Sequence, residues 1–139
     1  MQPIEHAFVG SLVSAFGVAA LWGVTRLSVP FLALLFAYGL ALSIFIDLDH
    51  FPLARAEVGH WGHFWQAARN LPDVLLGRVT LFEASIADRL RRHRIASHAV
   101  IGVILVGVGW GIRPSVGAFT LLVFGAHVGC DLLRDREIL

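Results

Sequence analysis

The sequence predicts an all-α integral membrane protein, with four transmembrane helices and an amphipathic interfacial helical insertion between helices two and three. Three observations carry that reading. The hydrophobic fraction is 57% and the mean hydropathy +0.74, above the roughly 45–50% apolar content of a globular domain. Four apolar segments approach the roughly 17–25 helical residues needed to span the ~30 Å hydrocarbon core. Between the second and third of them the composition changes to charged residues mixed with aromatics. At 139 residues the chain is expected to form a single membrane domain. The net charge of +1 decides little, because a balanced total hides where the charges sit. All eleven basic residues are arginine. One cysteine, Cys130, excludes an internal disulfide. Its apolar setting fits a packing residue rather than a nucleophile.

The first span is expected over about residues 4–27. Residues 1–5 hold no Arg or Lys, so the basic start of a signal peptide is missing, and the apolar run from Ala7 to Val24 is too long for a signal core. His6 interrupts the start of this span and Arg26 marks its exit. Arg26-Leu27-Ser28-Val29-Pro30 reads as a tight turn. Ser28 is placed to cap the next helix and Pro30 suits its first turn. The second span, about residues 30–47, is almost wholly apolar and closes on Asp47-Leu48-Asp49-His50.

The insertion, about residues 51–94, holds seven arginines (Arg55, Arg69, Arg78, Arg89, Arg91, Arg92, Arg94) and four acids (Glu57, Asp73, Glu83, Asp88). Trp61, Phe64, Trp65 and Ala68 recur at spacings of three and four, and so, after Pro72, do Leu75, Val79, Phe82, Ile86 and Leu90. That is the apolar stripe of a helix with a polar far side. Tryptophan favours a membrane interface, so one or two helices lying on the membrane surface are expected. The competing picture is a soluble cap whose stripe is its own core. The third span, about 95–112, is rich in glycine (Gly102, Gly107, Gly109, Gly111), which lets membrane helices approach closely. Arg113-Pro114-Ser115 is another short turn. The fourth span, about 115–133, carries Gly125 and Gly129 in a Gly-x-x-x-Gly pair, and the charged run Arg134-Asp135-Arg136-Glu137 follows it.

Alternating spans bring the polar residues to one membrane face. His6 begins the first helix there, and the second returns to it with Asp47, Asp49 and His50. His93 is expected just before the third helix, with His98 in its first turn, and the fourth returns with His127 and Asp131. His127 and Asp131 are four apart, and Asp47 and His50 three apart, so each pair shares a helix face. Ionisable groups at membrane depth are expensive and mark function. Carboxylates with imidazoles are also the ligand set of a catalytic divalent metal. His6, Asp47, Asp49, His50, His93, His98, His127 and Asp131 are therefore the expected metal ligands. His60 and His63, three apart on the amphipathic stretch, read as solvated interface residues, with a lid or an added ligand as the alternatives. The far face holds Arg26 and Arg113 alone, against nine arginines on the cluster side, so the positive-inside rule puts the cluster in the cytoplasm.

With these blocks in hand, and with His93-Arg94-Ile95-Ala96-Ser97-His98 and His127-Val128-Gly129-Cys130-Asp131 among them, the chain resembles the YdjM-type family of inner-membrane metal-dependent hydrolases. The likeness runs over nearly the whole chain in order and spacing. It departs in the third block, where Ile95 stands for the family's glycine, Ser97 for its threonine and Ala99 for its final serine. The resemblance implies a multi-pass protein of the cell's inner membrane and metal-dependent hydrolysis.

The donor set exceeds what one tetrahedral zinc requires. It suits two ions about 3.5–4 Å apart, the favoured arrangement, or one ion with a general base and supporting groups. Zinc is the expected metal, with manganese or iron as alternatives. Asp49, off the metal, is the candidate catalytic base, and Arg94 the candidate clamp on a phosphate. The expected partners are membrane lipids and a lipid-like phosphoester or ester substrate; nucleic acid is not expected. Three other readings compete: a small cation or proton transporter, a haem-binding bundle and a non-catalytic metal-binding membrane protein. Transport needs polar lining through the bilayer, whereas the cluster sits at one end.

Overall fold

The structure is a computed structural model that describes residues 3–76, 78–79, 81–82 and 84–135; for residues 3, 75, 84–89, 91, 92 and 135 it describes the backbone alone. Among the described residues there is no strand. The order is α1 (Pro3–Val24), α2 (Val29–Phe45), a 3-10 turn (Ile46–Asp49), α3 (His50–Val58), α4 (Gly62–Arg69), α5 (Leu71–Leu75), α6 (Ala84–Ile112) and α7 (Pro114–Asp135). Four stretches are long and apolar enough to cross a membrane: Ile4–Val24, Val29–Val58, His93–Ile112 and Pro114–Arg134. The chain is thus an all-α protein with the helices of a multi-pass membrane protein. Phe8, Leu12 and Phe16, four apart on α1, are all exposed. In water such a face would be a large apolar patch; in a bilayer it meets lipid.

α7 is the most buried span and packs on α1, α2 and α6. Its Phe119 and Val123 form the core with Leu35 of α2, and Val13 and Tyr38 close around them. Small residues set the α1–α2 contact. A Cβ on Gly10 would land on the Ser43 side chain, and one on Gly39 on Ser14 Oγ. Arg113 alone links α6 to α7, which forces an antiparallel hairpin. There a Cβ on Gly109 would lie 3.2 Å from the Gly117 backbone. Midway through the bundle, Thr120 Oγ1 donates to the Val116 carbonyl at 2.8 Å and so accepts from the Tyr38 hydroxyl at 3.2 Å.

Several boundaries differ from the sequence reading. α1 stops at Val24, so Arg26 and Ser28 lie in the linker. The Ser28 side chain makes no capping bond; its carbonyl instead accepts from the Leu32 amide at 3.1 Å. Regular winding in the second span ends at Phe45 rather than Asp47, and helix resumes as α3 until Gly59, whose φ of 80° terminates it. The stripe expected from Leu75 to Leu90 is not one helix: α5 ends at Leu75, and bends at Val79 and Phe82 precede α6. α6 begins at Ala84, well before the expected residue 95, because the charged stretch ahead of the apolar span is itself helical. Trp61, Phe64 and Trp65 are exposed, so the α4 stripe is not a private core. The insertion bridges the end of the bundle, with α3 packed on α6 and α5 on α1. Gly102 and Gly109 face neighbours on α7, whereas a Cβ on Gly125 or Gly129 would meet nothing within 4 Å. Glu83, Arg136 and Glu137, and the side chains of Leu75, Ile86, Asp88, Arg89, Arg91 and Arg92, lie outside what is described.

Candidate metal centre

The 3-10 turn does the first piece of positioning. Residues two apart diverge by ~160° around an α-helix but by ~120° around a 3-10 turn. Asp47 and Asp49 therefore both reach the His98 ring, one at each nitrogen. Asp47 Oδ1 lies 3.2 Å from His98 Nε2, and Asp49 Oδ2 accepts from His98 Nδ1 at 3.0 Å. The turn is closed by His50, whose Nδ1 donates to the Asp47 carbonyl at 2.7 Å.

Three further helices complete the cluster. His6 comes from the first turn of α1, His98 from α6, and His127 and Asp131 from adjacent turns of α7. All four are at most 4% exposed. His6 Nε2 lies 3.5 Å from Asp47 Oδ2 and 3.4 Å from Asp131 Oδ1. His127 Nε2 lies 3.5 Å from both Asp47 Oδ1 and Asp131 Oδ2. His98 Nε2 is 3.9 Å from Asp131 Oδ2. The His6 and His127 rings stack at 4.1 Å and 21°, side by side over the two carboxylates. The same nitrogen of three imidazoles thus turns toward two carboxylates.

These spacings fit a metal better than they fit hydrogen bonds. Metal–ligand bonds of ~2.0–2.2 Å put neighbouring donors about 3.0–3.5 Å apart. The Nε2 atoms of His6 and His127 are buried and hydrogen-bond to nothing among the described residues, which a native interior rarely allows. His6, Asp47, His127 and Asp131 each offer a donor atom, all within 4.8 Å of one another, and Asp47, Asp49 and His98 form a second such group.

Supporting groups surround the donors. Asp49 Oδ2 accepts from His98 Nδ1, so in a neutral His98 ring Nε2 would be the nitrogen free to bind a metal. This is the carboxylate–histidine arrangement that orients a metal-binding imidazole. Ser97 Oγ lies 2.6 Å from the same Asp49 oxygen and 2.9 Å from the Arg94 carbonyl; its one proton serves the shorter contact. Arg94 Nη1 lies 3.5 Å from Asp131 Oδ1. Asp47, Asp49 and Asp131 thus crowd three carboxylates around the imidazoles, and a divalent cation would offset such crowded negative charge.

Of the residues expected as ligands, His6, Asp47, Asp49, His98, His127 and Asp131 are brought together. His93 is not. It lies within α6 rather than before it, and five residues turn a helix through ~140° from His98, so His93 is exposed while His98 is buried. His50 adjoins the site, 3.3 Å from Asp49 Oδ1, but belongs to neither donor group. His60 and His63 pair with each other, ring centroids 6.0 Å apart, outside both groups. Sequence reasoning overlooked what Ser97 does. Its only signal was a hydroxyl immediately before a candidate ligand.

No family model, curated protein or solved structure matches the chain. The chain itself carries four helices able to cross a membrane and buried His/Asp groups that could hold a metal ion.

Proposed function

We propose that the protein is a membrane-embedded hydrolase that uses one divalent metal ion to cleave a phosphoester or ester of a lipid-like substrate. The observation that carries this is the convergence of three Nε2 atoms on two carboxylates, at metal-ligand spacing, inside a bundle of spanning helices. The resemblance to YdjM-type inner-membrane hydrolases points to the same chemistry. The nine arginines on the cluster side argue for a site at the cytoplasmic face of the inner membrane.

His6, Asp47, His127 and Asp131, which form one donor group, would hold the ion, and His98 would join them through its place beside Asp47 in the second group; zinc, manganese and iron all accept imidazole with carboxylate. One ion is favoured over two because His98 Nδ1 is committed to Asp49, which makes Asp49 a supporting group. When bound, such an ion polarises the scissile bond and brings the pKa of its water towards ~7. Asp49 fixes His98 through Oδ2, while Oδ1, which hydrogen-bonds to nothing among the described residues, is placed to take a proton. Arg94, held near Asp131, is positioned to draw in an anionic ester oxygen.

A non-catalytic metal site is the second reading, favoured by the donor count: five protein ligands would leave a four-coordinate zinc no position for water. Transport is not favoured, because the mid-span polar pair Tyr38 and Thr120 is bonded within the bundle.

The test is metal content by plasma mass spectrometry on detergent-purified protein never exposed to nickel resin. His98→Ala and Asp131→Ala should each lose the metal while keeping wild-type helicity by circular dichroism. Metal content unchanged in both variants overturns the reading. A metal-loaded wild type that cleaves no phosphoester or acyl ester lipid in a screen decides for the non-catalytic site.

A further inference from the structure

α2 and α6 do not pack on each other among the described residues. An open groove of about 590 Å³ lies between them, lined by Tyr38, Ala41, Leu42, Phe45, Ile101 and Leu105, with Asp49 at its polar end. A second hollow of about 420 Å³ continues it from Tyr38 and Leu105 towards Phe31 and Ile112 at the far end of the bundle. The two walls are helical stripes that finish in the metal site. On α2 the lining residues Tyr38, Leu42 and Phe45 lead, at spacings of four and three, to Asp49. On α6 the residues Leu105 and Ile101 lead, at four and three, to His98. Asp49 and His98 are hydrogen-bonded to each other. The groove therefore closes where the metal donors meet and lies open along the membrane-spanning length.

Its depth matches a lipid chain. The eleven steps from Tyr38 to Asp49, ~1.5 Å each along α2 and ~2.0 Å each through the 3-10 turn, rise ~18 Å, somewhat over half of the ~30 Å hydrocarbon core. The metal-side half of the groove is thus one leaflet deep. Phe45 and Leu48 at its rim are exposed, and in a bilayer only lipid chains lie beside them.

We propose that the cleft between α2 and α6 seats one acyl chain of the substrate lipid, so that the head-group ester reaches the metal sideways from the bilayer. This rests on the hydrolase reading above and names where its substrate binds. Lipid tails are as apolar as the groove, so the groove itself gains nothing from the hydrophobic effect. It sets the chain's position, and the polar contacts at the metal end choose which lipid stays.

The probe is a phosphatidylglycerol with a diazirine in its acyl chain, diluted in phosphatidylcholine nanodiscs that hold the full chain. Photolysis should label residues 38–46 and 101–109 severalfold more heavily than the equally lipid-facing Phe8, Leu12 and Phe16 of α1. Ala41→Trp and Leu105→Trp, which fill the groove, should abolish that excess while retaining metal. If either fails to fold, Leu105→Phe should reduce it. Labelling spread evenly over α1, α2, α6 and α7 overturns the proposal, as does an excess that survives the filled groove. Metal content on the same preparations reports the hydrolase reading separately: even labelling with metal present sinks the groove alone.

Discussion

Replacing Asp49 by Asn separates one metal ion from two. The substitution keeps the shape and one acceptor but removes the charge that Asp49 Oδ2 presents to His98 Nδ1 at 3.0 Å and to Ser97 Oγ at 2.6 Å. If Asp49 orients His98, the ion keeps all its direct ligands but one of them is held less firmly. Loss of such a supporting carboxylate lowers metal affinity about 10–100-fold, or roughly 1.4–2.7 kcal/mol. Stoichiometry should remain at one equivalent. If Asp49 is instead a direct ligand of a second ion, with Asp47 and His98 as its partners, the variant should lose one of two equivalents outright. The assay is competition with a chromophoric chelator in detergent, with stoichiometry from plasma mass spectrometry. Ser97→Ala should give a smaller loss, because Asp49 still accepts from His98. Unchanged affinity in Asp49→Asn, or a whole equivalent lost, refutes the orienting role.

Other outcomes follow from the same geometry. Adding zinc or manganese should stabilise metal-free wild type against unfolding by about 2.7 kcal/mol at a hundredfold excess over Kd. Asp47→Asn should abolish that response, and a response that persists means Asp47 is no ligand. His93→Ala should leave metal affinity unchanged because the side chain is exposed outside the cluster; a lost equivalent would restore it as a ligand. Gly39→Ala should destabilise the protein by about 1–3 kcal/mol, since its Cβ meets Ser14 and the Phe119 ring. Gly23→Ala, with nothing within 4 Å, serves as the neutral control in detergent unfolding.

Much of this was legible because membrane spans are written in composition. Long apolar runs, and the turns at Arg26–Pro30 and Arg113–Pro114, fix four helices and their alternation, and alternation alone brings His6, Asp47, His98, His127 and Asp131 to one end. What the pattern could not give was rotation about each axis. His93 and His98 differ only in facing, and facing depends on where a helix begins; an α6 starting at Ala84 carries His93 outward. The 3-10 turn was hidden for the same reason. Asp47-Leu48-Asp49-His50 reads equally well as a last α-turn, and only the demand that both carboxylates reach His98 tightens it. The broken stripe from Leu75 to Leu90 shows the converse: period survives in sequence even where the chain bends out of helix.

The loop lengths explain why a groove and a metal site occur together. One residue joins α6 to α7 and four join α1 to α2, so each pair is held as a tight hairpin. The α2–α6 connection is the long insertion, which imposes no such closeness and leaves those two helices apart. The hairpins do meet through α7, which packs on both α1 and α2. At the polar end they are further tied by the donors themselves: His6 and Asp47 come from one hairpin, His98, His127 and Asp131 from the other. A bound ion would therefore pin the open edge of the bundle at the point where the groove ends. Loss of the ion should loosen α2 against α6 first, because those two helices make no direct contact among the described residues and are joined only through α7, α3 and the turn that carries Asp47 and Asp49. Hydrogen exchange at Ile46–Asp49 should accordingly rise more on chelation than exchange at the α6–α7 hairpin. An equal rise in both would mean that packing through α7, and not the metal, sets the width of the cleft.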